Sequence, residues 1–457
     1  MGAPYTDPGT PHLTSASSSQ SPEKPLPSTQ LLQRQDTYLR PNPARVVVRQ
    51  FRPATEPRDL NPTDKSRANH IVERVLGLDS ATAAAQLDEV LANFQGRHRN
   101  LLELLDARAN EMEQAIKAHV RFTPEQRRLI GAYFLHEYSF EAAALFNPSI
   151  VPHFDQTGAP AQGQRFILSV RAVGEGHVSS VTFRSGSIAA DGRVALDPTA
   201  SLASIPRVIR RIPCAAGEEV DLAFGPHEDM SERVIFPVTD AQSNGIEDAR
   251  FVTFDTGSEK IFYATYTAYN GRAIRSELLE TRDFISFKMS PLQGSAARNK
   301  GMALFPRRID GRYAMIGRHD NENLYLIYSD DLYTWDGGTA ILTPQFPWEF
   351  VQIGNCGSPV ELDEGWLLLT HGVGPVRKYC IGAVLLDKTD PSRVLARTRE
   401  PLVRPEPRER GGYVPNVVYT CGAMRHGNQL ILPYAISDTF CNFASVEIPA
   451  LLEAMAG

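Results

Sequence analysis

After Asn147, the pattern of hydrophobic and polar positions switches to that of strands. One short pattern recurs five times: a polar turn, an apolar or aromatic run, then a polar or small-residue ending. The copies are QGQRFILSVRAVGEG (162–176), GSEKIFYATYTAYNG (257–271), DGRYAMIGRHDNE (310–322), DEGWLLLTHGVGP (363–375) and HGNQLILPYAISDT (426–439). The later copies start roughly fifty to sixty residues apart, and the first interval is nearly twice that, which places an insertion between the first two. Further strand candidates, ENLYLIYSDDLYTW (322–335) and YCIGAVLLDKTD (379–390), lie between copies. A period near fifty with about four strands per unit predicts a β-propeller, and five copies predict five blades. A β-sandwich would need shorter spacing, and a βαβ fold would need helices between the strands. In a propeller, the polar groups that end the repeats (Arg171, Tyr269 with Asn270, Arg318, His371 and Asp438) should converge on one central channel.

The first 146 residues read differently. Residues 1–44 are rich in Ser, Pro and Thr and poor in large apolar residues, so they are expected to form a disordered tail. Val46, Val47 and Val48 suggest one short strand. From about Ser66 to Leu145 the pattern is helical. Asp79 or Ser80 caps an alanine-rich segment, and Leu101, Leu105, Met112 and Ile116 make one apolar stripe. Thr123-Pro124-Glu125-Gln126 predicts a helix start, with Thr123 as cap and Gln126 completing a capping box. That helix is expected to reach Ala142-Ala143-Ala144. The division is therefore a tail (1–44), a strand and helical region (45–146) and a catalytic propeller (147–457). The fold class is mainly β, a five-bladed β-propeller with an N-terminal α-helical extension. The extension reads as a packed bundle, with homo-oligomer contact or a wall of the site as further roles.

Composition narrows the function. The 457 residues carry a net charge of −6, so nothing favours nucleic acid as a partner. Five scattered cysteines without a CxxC pair argue against a zinc site or a disulfide framework and suggest buried, reduced thiols. No apolar run approaches the ~20 residues that cross a membrane. The N-terminus lacks the basic and apolar regions of a secretion signal, and its partial myristoylation pattern (Gly2, Thr6) has no support elsewhere. A cytoplasmic protein with no membrane partner, no metal and no cofactor is expected.

Two groups of residues could carry chemistry. Glu247 and Asp248 precede the second repeat, with Arg250 two positions on. On an exposed turn they would be weak surface ion pairs. On a strand, alternation puts Asp248 and Arg250 on one side, where a cation can hold one carboxylate ionised while a more buried one keeps its proton. The second group is basic. Lys300, Arg318 and His371, with Arg377 and Tyr379 nearby, sit at strand ends in separate repeats. Convergence of such donors in an acidic protein suits phosphate or a sugar phosphate. GxSxG and HExxH motifs and a glycine-rich P-loop are all lacking.

The run GIEDARFVTFD…FYATYTAYNG resembles the signature of glycoside hydrolase family 130, the mannoside phosphorylases and β-mannosidases, as do NKGMALFPRRIDGRYAMIGR, WLLLTHGVG, IGAVLLDKTDPSRVLARTREPLVRPE and VPNVVYTCGA…YAISDT. The resemblance spans roughly 147–455 and implies a five-bladed propeller that cleaves β-mannosides with inversion. It implies Asp248 as general acid, acting through the mannose 3-hydroxyl. Lys300, Arg318, His371 and Tyr379 match positions that hold phosphate. Asn147, Arg171, Arg250, Tyr269 and Asp438 match positions near the mannose. Ala249 and Asn270 depart from the family's proline and aspartate, and Asn355–Pro359 from a more Gly/Pro-rich stretch.

A phosphorylase uses inorganic phosphate as nucleophile, giving mannose 1-phosphate, and needs no protein base. An inverting β-1,2-mannosidase needs a second carboxylate about 6.5–9.5 Å from the acid. Filled basic positions favour phosphorolysis, with a β-mannoside oligosaccharide and phosphate as partners. Glu361, Glu364, Glu406 and Glu409 are the candidates for a hydrolase's base. A non-catalytic sugar-binding propeller would instead leave Asp248 exposed.

Overall fold

The computed structural model describes residues 31–54, 66–116 and 122–456. Its strands form five antiparallel meanders in chain order. The first comprises Ala144–Pro152, Gln164–Val173, Ser179–Ile188 and Val194–Leu196. The second comprises Gly245–Asp255, Lys260–Tyr269, Ile274–Thr281 and Ser286–Pro291. The third comprises Ala303–Leu304, Tyr313–Gly317, Leu324–Ser329 and Thr339–Leu342. The fourth comprises Gln352–Asn355, Trp366–Gly374, Lys378–Leu386 and Val394–Arg397. The fifth comprises Val418–Tyr419, Gln429–Ile436 and Phe440–Glu447. Each sequence repeat is the second strand of its meander, not the first, because these strands are covered on both faces and carry the longest apolar runs. The doubled first interval contains the hairpin Arg207–Cys214/Gly217–Ala223, which pairs along Ser286–Pro291 at the outer edge of the second meander.

Five apolar clusters lie between the meanders. Phe183 and Phe251 join the first to the second, and Tyr263 and Met315 the second to the third. Ile316 and Trp366 join the third to the fourth, and Leu367 and Leu432 the fourth to the fifth. A further cluster, with Phe166 and Phe443, joins the fifth back to the first. Each meander thus buries both faces against neighbours, and the order is cyclic.

The last meander takes its outer strand from the opposite end of the chain. Gln33–Leu39 pairs antiparallel with Phe440–Glu447. This corrects the expected tail over 1–44, whose residues 1–30 lie outside the described set. Few apolar side chains predict disorder only for a segment that must build its own core, whereas this strand borrows an existing edge. Gln35 also bonds across to the first meander, donating to the Gly192 carbonyl (2.9 Å) and accepting from the Val194 amide (2.8 Å).

Four helices precede the first meander: α1 (Arg67–Leu76), α2 (Ser80–Phe94), α3 (Leu101–Ile116) and α4 (Pro124–Tyr133). Asp79 caps α2, and Thr123 and Gln126 form the expected capping box on α4. Val75, Leu87, Leu105 and Leu129 share a core. α4 stops at Tyr133, short of the expected Ala142–Ala144. Leu135–Tyr138 becomes a strand paired with Val47–Gln50, and Ala144 opens the first meander. Ala142 and Ala143 lie in an exposed bend, and only Ala144 is buried, as the first residue of its strand, so tertiary pairing and not alanine's helix propensity decides this segment. A nine-residue C-terminal helix, α5 (Ile448–Ala456), packs beside the fourth and fifth meanders. No helix among the described residues is long and apolar enough to cross a membrane.

A buried ionic knot fastens the N-terminal segment to the first meander. Glu141, fully buried, accepts from Arg45 (3.1 Å) and Arg184 (2.9 Å). Arg45 also donates to the Ser231 carbonyl. Removing one member leaves uncompensated buried charge. Glu141→Gln should therefore lower stability by about 3 kcal/mol, and Gln35→Ala by only about 1 kcal/mol. Urea unfolding of the two variants, monitored by tryptophan fluorescence, checks this ranking.

Candidate active site

The innermost strands of the first and second meanders each carry one extra residue. The register slips between Phe146 and Ser149, and again between Glu247 and Arg250. The residues inside these bulges, Asn147 (φ 51°) and Asp248 (φ 52°), are left-handed, a conformation that Asn and Asp tolerate better than most side chains. The bulges aim the two side chains at each other, and Asn147 Nδ2 donates to Asp248 Oδ1 at 2.7 Å. They also break the alternation from which one side for Asp248 and Arg250 was expected. Arg250 Nη1 donates to the backbone carbonyl of Asp248 (3.0 Å), not to its carboxylate. The carboxylate's ionic partner is Arg171, whose Nη1 lies 3.3 Å from Asp248 and whose Nη2 lies 2.7 Å from Glu247.

Two carboxyls in this field are driven apart. Burial would push Asp248 up, but the charges of Arg171, Arg250 and Lys300 and the Asn147 hydrogen bond outweigh it, holding the carboxyl well below the usual range. Asp438 is pushed up to about 6, first by burial and then by the Asp248 anion, against the pull of Arg171, Arg377 and Lys300. Asp248 is therefore ionised, whereas Asp438 keeps its proton to about pH 6. Lys300 belongs to this carboxyl group, with Nζ 3.8 Å from Glu247.

Beside the carboxyls lies a set of buried donors. Arg250 is fully buried and fixed by the Cys356 carbonyl (3.0 Å) and the Tyr419 hydroxyl (3.0 Å). Arg318 and His371 are buried, and Arg318 Nε and both His371 ring nitrogens lack a hydrogen-bond partner. Asn355 leaves both amide atoms unsatisfied. The His371 ring lies 5.9 Å from that of Tyr379 and 4.9 Å from that of Tyr419. Burial, then the cations Arg318 and Arg250, hold the His371 imidazole neutral, well below its usual range. A side chain at Gly354 would collide with His371 and press on Arg318, so this position is restricted to glycine. Unsatisfied buried donors around a guanidinium make a site that an anion would complete.

The remaining expectations divide. Tyr269 ends its strand opposite Gly245, half-buried. Asn270 serves its own turn, accepting from the amides of Arg272 (3.0 Å) and Ala273 (2.8 Å). Of the glutamates considered as a base, Glu361 is paired with Arg307 (2.8 Å), Glu406 with Arg408 (2.7 Å) and also with Arg34, Glu409 lies 4.0 Å from Arg34 and accepts from the Glu406 amide (3.1 Å), and Glu364 is exposed. Tyr419 carries no sequence signal of its own as a site residue, and Asn355 stands out in the sequence only as part of the departing stretch Asn355–Pro359. Both lie on innermost strands too short to give a periodic signal, at two and four residues. All five cysteines are free; Cys214 is half-buried and the other four are buried.

A family model described as beta-1,4-mannooligosaccharide phosphorylase matches residues 225–456. The chain belongs to glycoside hydrolase family 130. It is 34% identical over 224 residues to a 1,2-beta-oligomannan phosphorylase of Thermoanaerobacter sp. (strain X514), covering 48% of this chain and 74% of the relative. It is 30% identical over 240 residues to a beta-1,2-mannobiose phosphorylase of Listeria innocua, covering 50% of this chain and 65% of that protein. The crystal structure of a putative glycoside hydrolase from Bacteroides ovatus superposes with a TM-score of 0.51 at 19% identity, covering 68% of this chain and 89% of that one, a likeness of fold. Family 130 membership makes the chain a carbohydrate-active enzyme. The family match takes in Asp248, Arg250, Arg318, His371 and Asp438, while Asn147 and Arg171 lie before it.

Because Asp438 holds its proton more tightly in this family 130 fold than the usual aspartate, it opposes folding once ionised. The unfolded chain releases that proton near pH 4 and the folded chain near 6, so its contribution falls as pH rises through that window. Asp438→Asn should leave stability near pH 4 little changed and raise it at pH 7 by on the order of 2 kcal/mol. Thermal melts across pH 4–8 read the difference.

Proposed function

We propose that this chain is an inverting β-mannoside phosphorylase whose five meanders are the blades of a five-bladed propeller around the site. The cyclic order of the five interblade cores supports the propeller, with Gln33–Leu39 as the closing strand and α1–α4 as an added helical unit. One observation carries the chemistry: Arg318 and His371 present buried, unpartnered nitrogens in the field of Arg250, which itself bonds to the backbone of Asp248. A sugar hydroxyl does not require such a concentration of cations, whereas phosphate does. The engagement of Glu361 and Glu406 in ion pairs leaves these two poorly suited to the base of a hydrolase.

In this reading the mannose sits among Asn147, Arg171, Tyr269 and Asp438. Phosphate occupies the donors of Arg318, His371 and Tyr379, with Arg250 and Lys300 setting the field between the two. A phosphate oxygen attacks the anomeric carbon and the bond to the glycosidic oxygen breaks. That oxygen takes a proton from the mannose 3-hydroxyl, which Asp248 replenishes. The products are mannose 1-phosphate, inverted at the anomeric carbon, and the shortened sugar. Asp248 is ionised, so it must gain its proton on loading. Phosphate supplies the means: its charge offsets the cations that hold Asp248 down, and dihydrogen phosphate can bring the proton. The names of the relatives with 34% and 30% identity favour β-1,2-linked mannosides, and a reaction fed by inorganic phosphate suits a cytoplasmic enzyme.

Incubating β-1,2-mannobiose with and without phosphate should give mannose 1-phosphate only with phosphate. Equal free mannose in both tubes would instead mean hydrolysis. Asp248→Asn should abolish turnover in a folded protein, and near-normal activity would sink the assignment. Arg318→Ala should raise the KM for phosphate at least about tenfold, loss of a charge-assisted contact being worth about 1.5–3 kcal/mol.

A further inference from the structure

Two surface segments meet beside Asp438. The first is the hairpin tip that follows Arg171, where Gly176 (φ 67°) and His177 (φ 59°) are both left-handed. The second is the loop before Val418. It is anchored at both ends of the cluster: Tyr413 N donates to Thr439 Oγ1 (2.8 Å), Val414 N to the Ser437 carbonyl (3.0 Å), and Tyr379 N to the Asn416 carbonyl (3.0 Å). Asp438 lies between Ser437 and Thr439, so the loop is tied around it. The two segments join at their tips. Tyr413 Oη and His177 Nδ1 share a hydrogen bond of 2.6 Å, and the rings are 5.5 Å apart. Yet Tyr413 remains 48% exposed, an aromatic face beside a polar partner.

Inversion says which side of the mannose this is. Nucleophile and leaving group occupy opposite faces of the anomeric carbon. Arg318 and His371 belong to the third and fourth meanders, so a phosphate there drives the departing sugar toward the first and fifth, where the clasp stands. We propose that the Tyr413–His177 clasp is one wall of the acceptor subsite and selects which sugar leaves or is extended. The proposal rests on the phosphorylase reading. The ring of Tyr413 supplies a stacking face for a pyranose, and the shared hydrogen bond fixes its tilt.

The test uses the full-length chain in both directions: phosphorolysis of mannobiose and mannotetraose, and synthesis from mannose 1-phosphate with mannose as acceptor. Tyr413→Ala should raise the acceptor KM about tenfold, equivalent to about 1.4 kcal/mol, and shift the mannobiose-to-mannotetraose preference. The KM for phosphate should stay within about twofold. Tyr413→Phe and His177→Asn, the latter able to keep the left-handed backbone, should show smaller changes of the same kind. Unchanged acceptor KM and chain-length preference in a folded, phosphate-dependent Tyr413→Ala enzyme would overturn the clasp, as would a parallel rise in phosphate KM. A wild-type enzyme indifferent to phosphate would overturn the phosphorylase reading instead. The chain-length preference still judges the clasp in that case, since it is defined for either nucleophile.

Discussion

Everything in the site follows from keeping Asp248 ionised while it is buried. A lone carboxylate in such a place would take up a proton, so the fold surrounds it with Arg171, Arg250, Lys300 and the Asn147 amide. These partners come from the first and second meanders and from the loop that leads into the third. None is useful unless the meanders are fixed relative to one another. The charge cluster therefore makes demands on the whole ring of apolar cores, and on the N-terminal strand that joins the fifth meander to the first.

The same clamp couples the two halves of the reaction. Arg250 touches the Asp248 carbonyl on one side and the Tyr419 hydroxyl on the other, so it belongs to both the sugar and the anion side. In the proposed phosphorolysis, an anion bound beside Arg318 would weaken the hold of these cations on the carboxylate and prepare it to carry a proton. Asp438, already displaced to about 6 by burial and its charged neighbour, shows how responsive carboxyls in this cavity are. Specificity for the departing sugar is a separate matter, assigned to loops that the clamp does not need.

Backbone geometry does as much as charge. Asn147 and Asp248 reach each other only because both strands bulge and both residues adopt positive φ. Bulges on innermost strands sit where ladder pairing can be interrupted without exposing a core, and they re-aim a side chain by a large angle. Gly354 serves the neighbouring cradle by omission, leaving room for the imidazole and guanidinium that would receive phosphate.

Much of this was legible in the chain. Apolar runs recurring near fifty residues apart gave the five meanders, because a strand covered on both faces must be apolar wherever it occurs. The capping box at Thr123 and the cap at Asp79 gave two helix starts, because those signals are local hydrogen bonds. Ordered motifs gave the family and the residues worth examining. The tertiary structure decided the rest. It recruited Gln33–Leu39, whose composition suggests disorder, because an open sheet edge some four hundred residues away supplies its hydrogen bonds. It ended α4 at Tyr133 despite the alanines beyond, because the residues that follow, Leu135–Tyr138, pair as a strand with Val47–Gln50. It gave Asp248 to Arg171 and not to the carboxylate partner nearest in sequence, because one extra residue in a strand undoes the alternation from which side-chain direction is read. Sequence fixes what is repeated and local; where a side chain points depends on register, and register is settled only between strands.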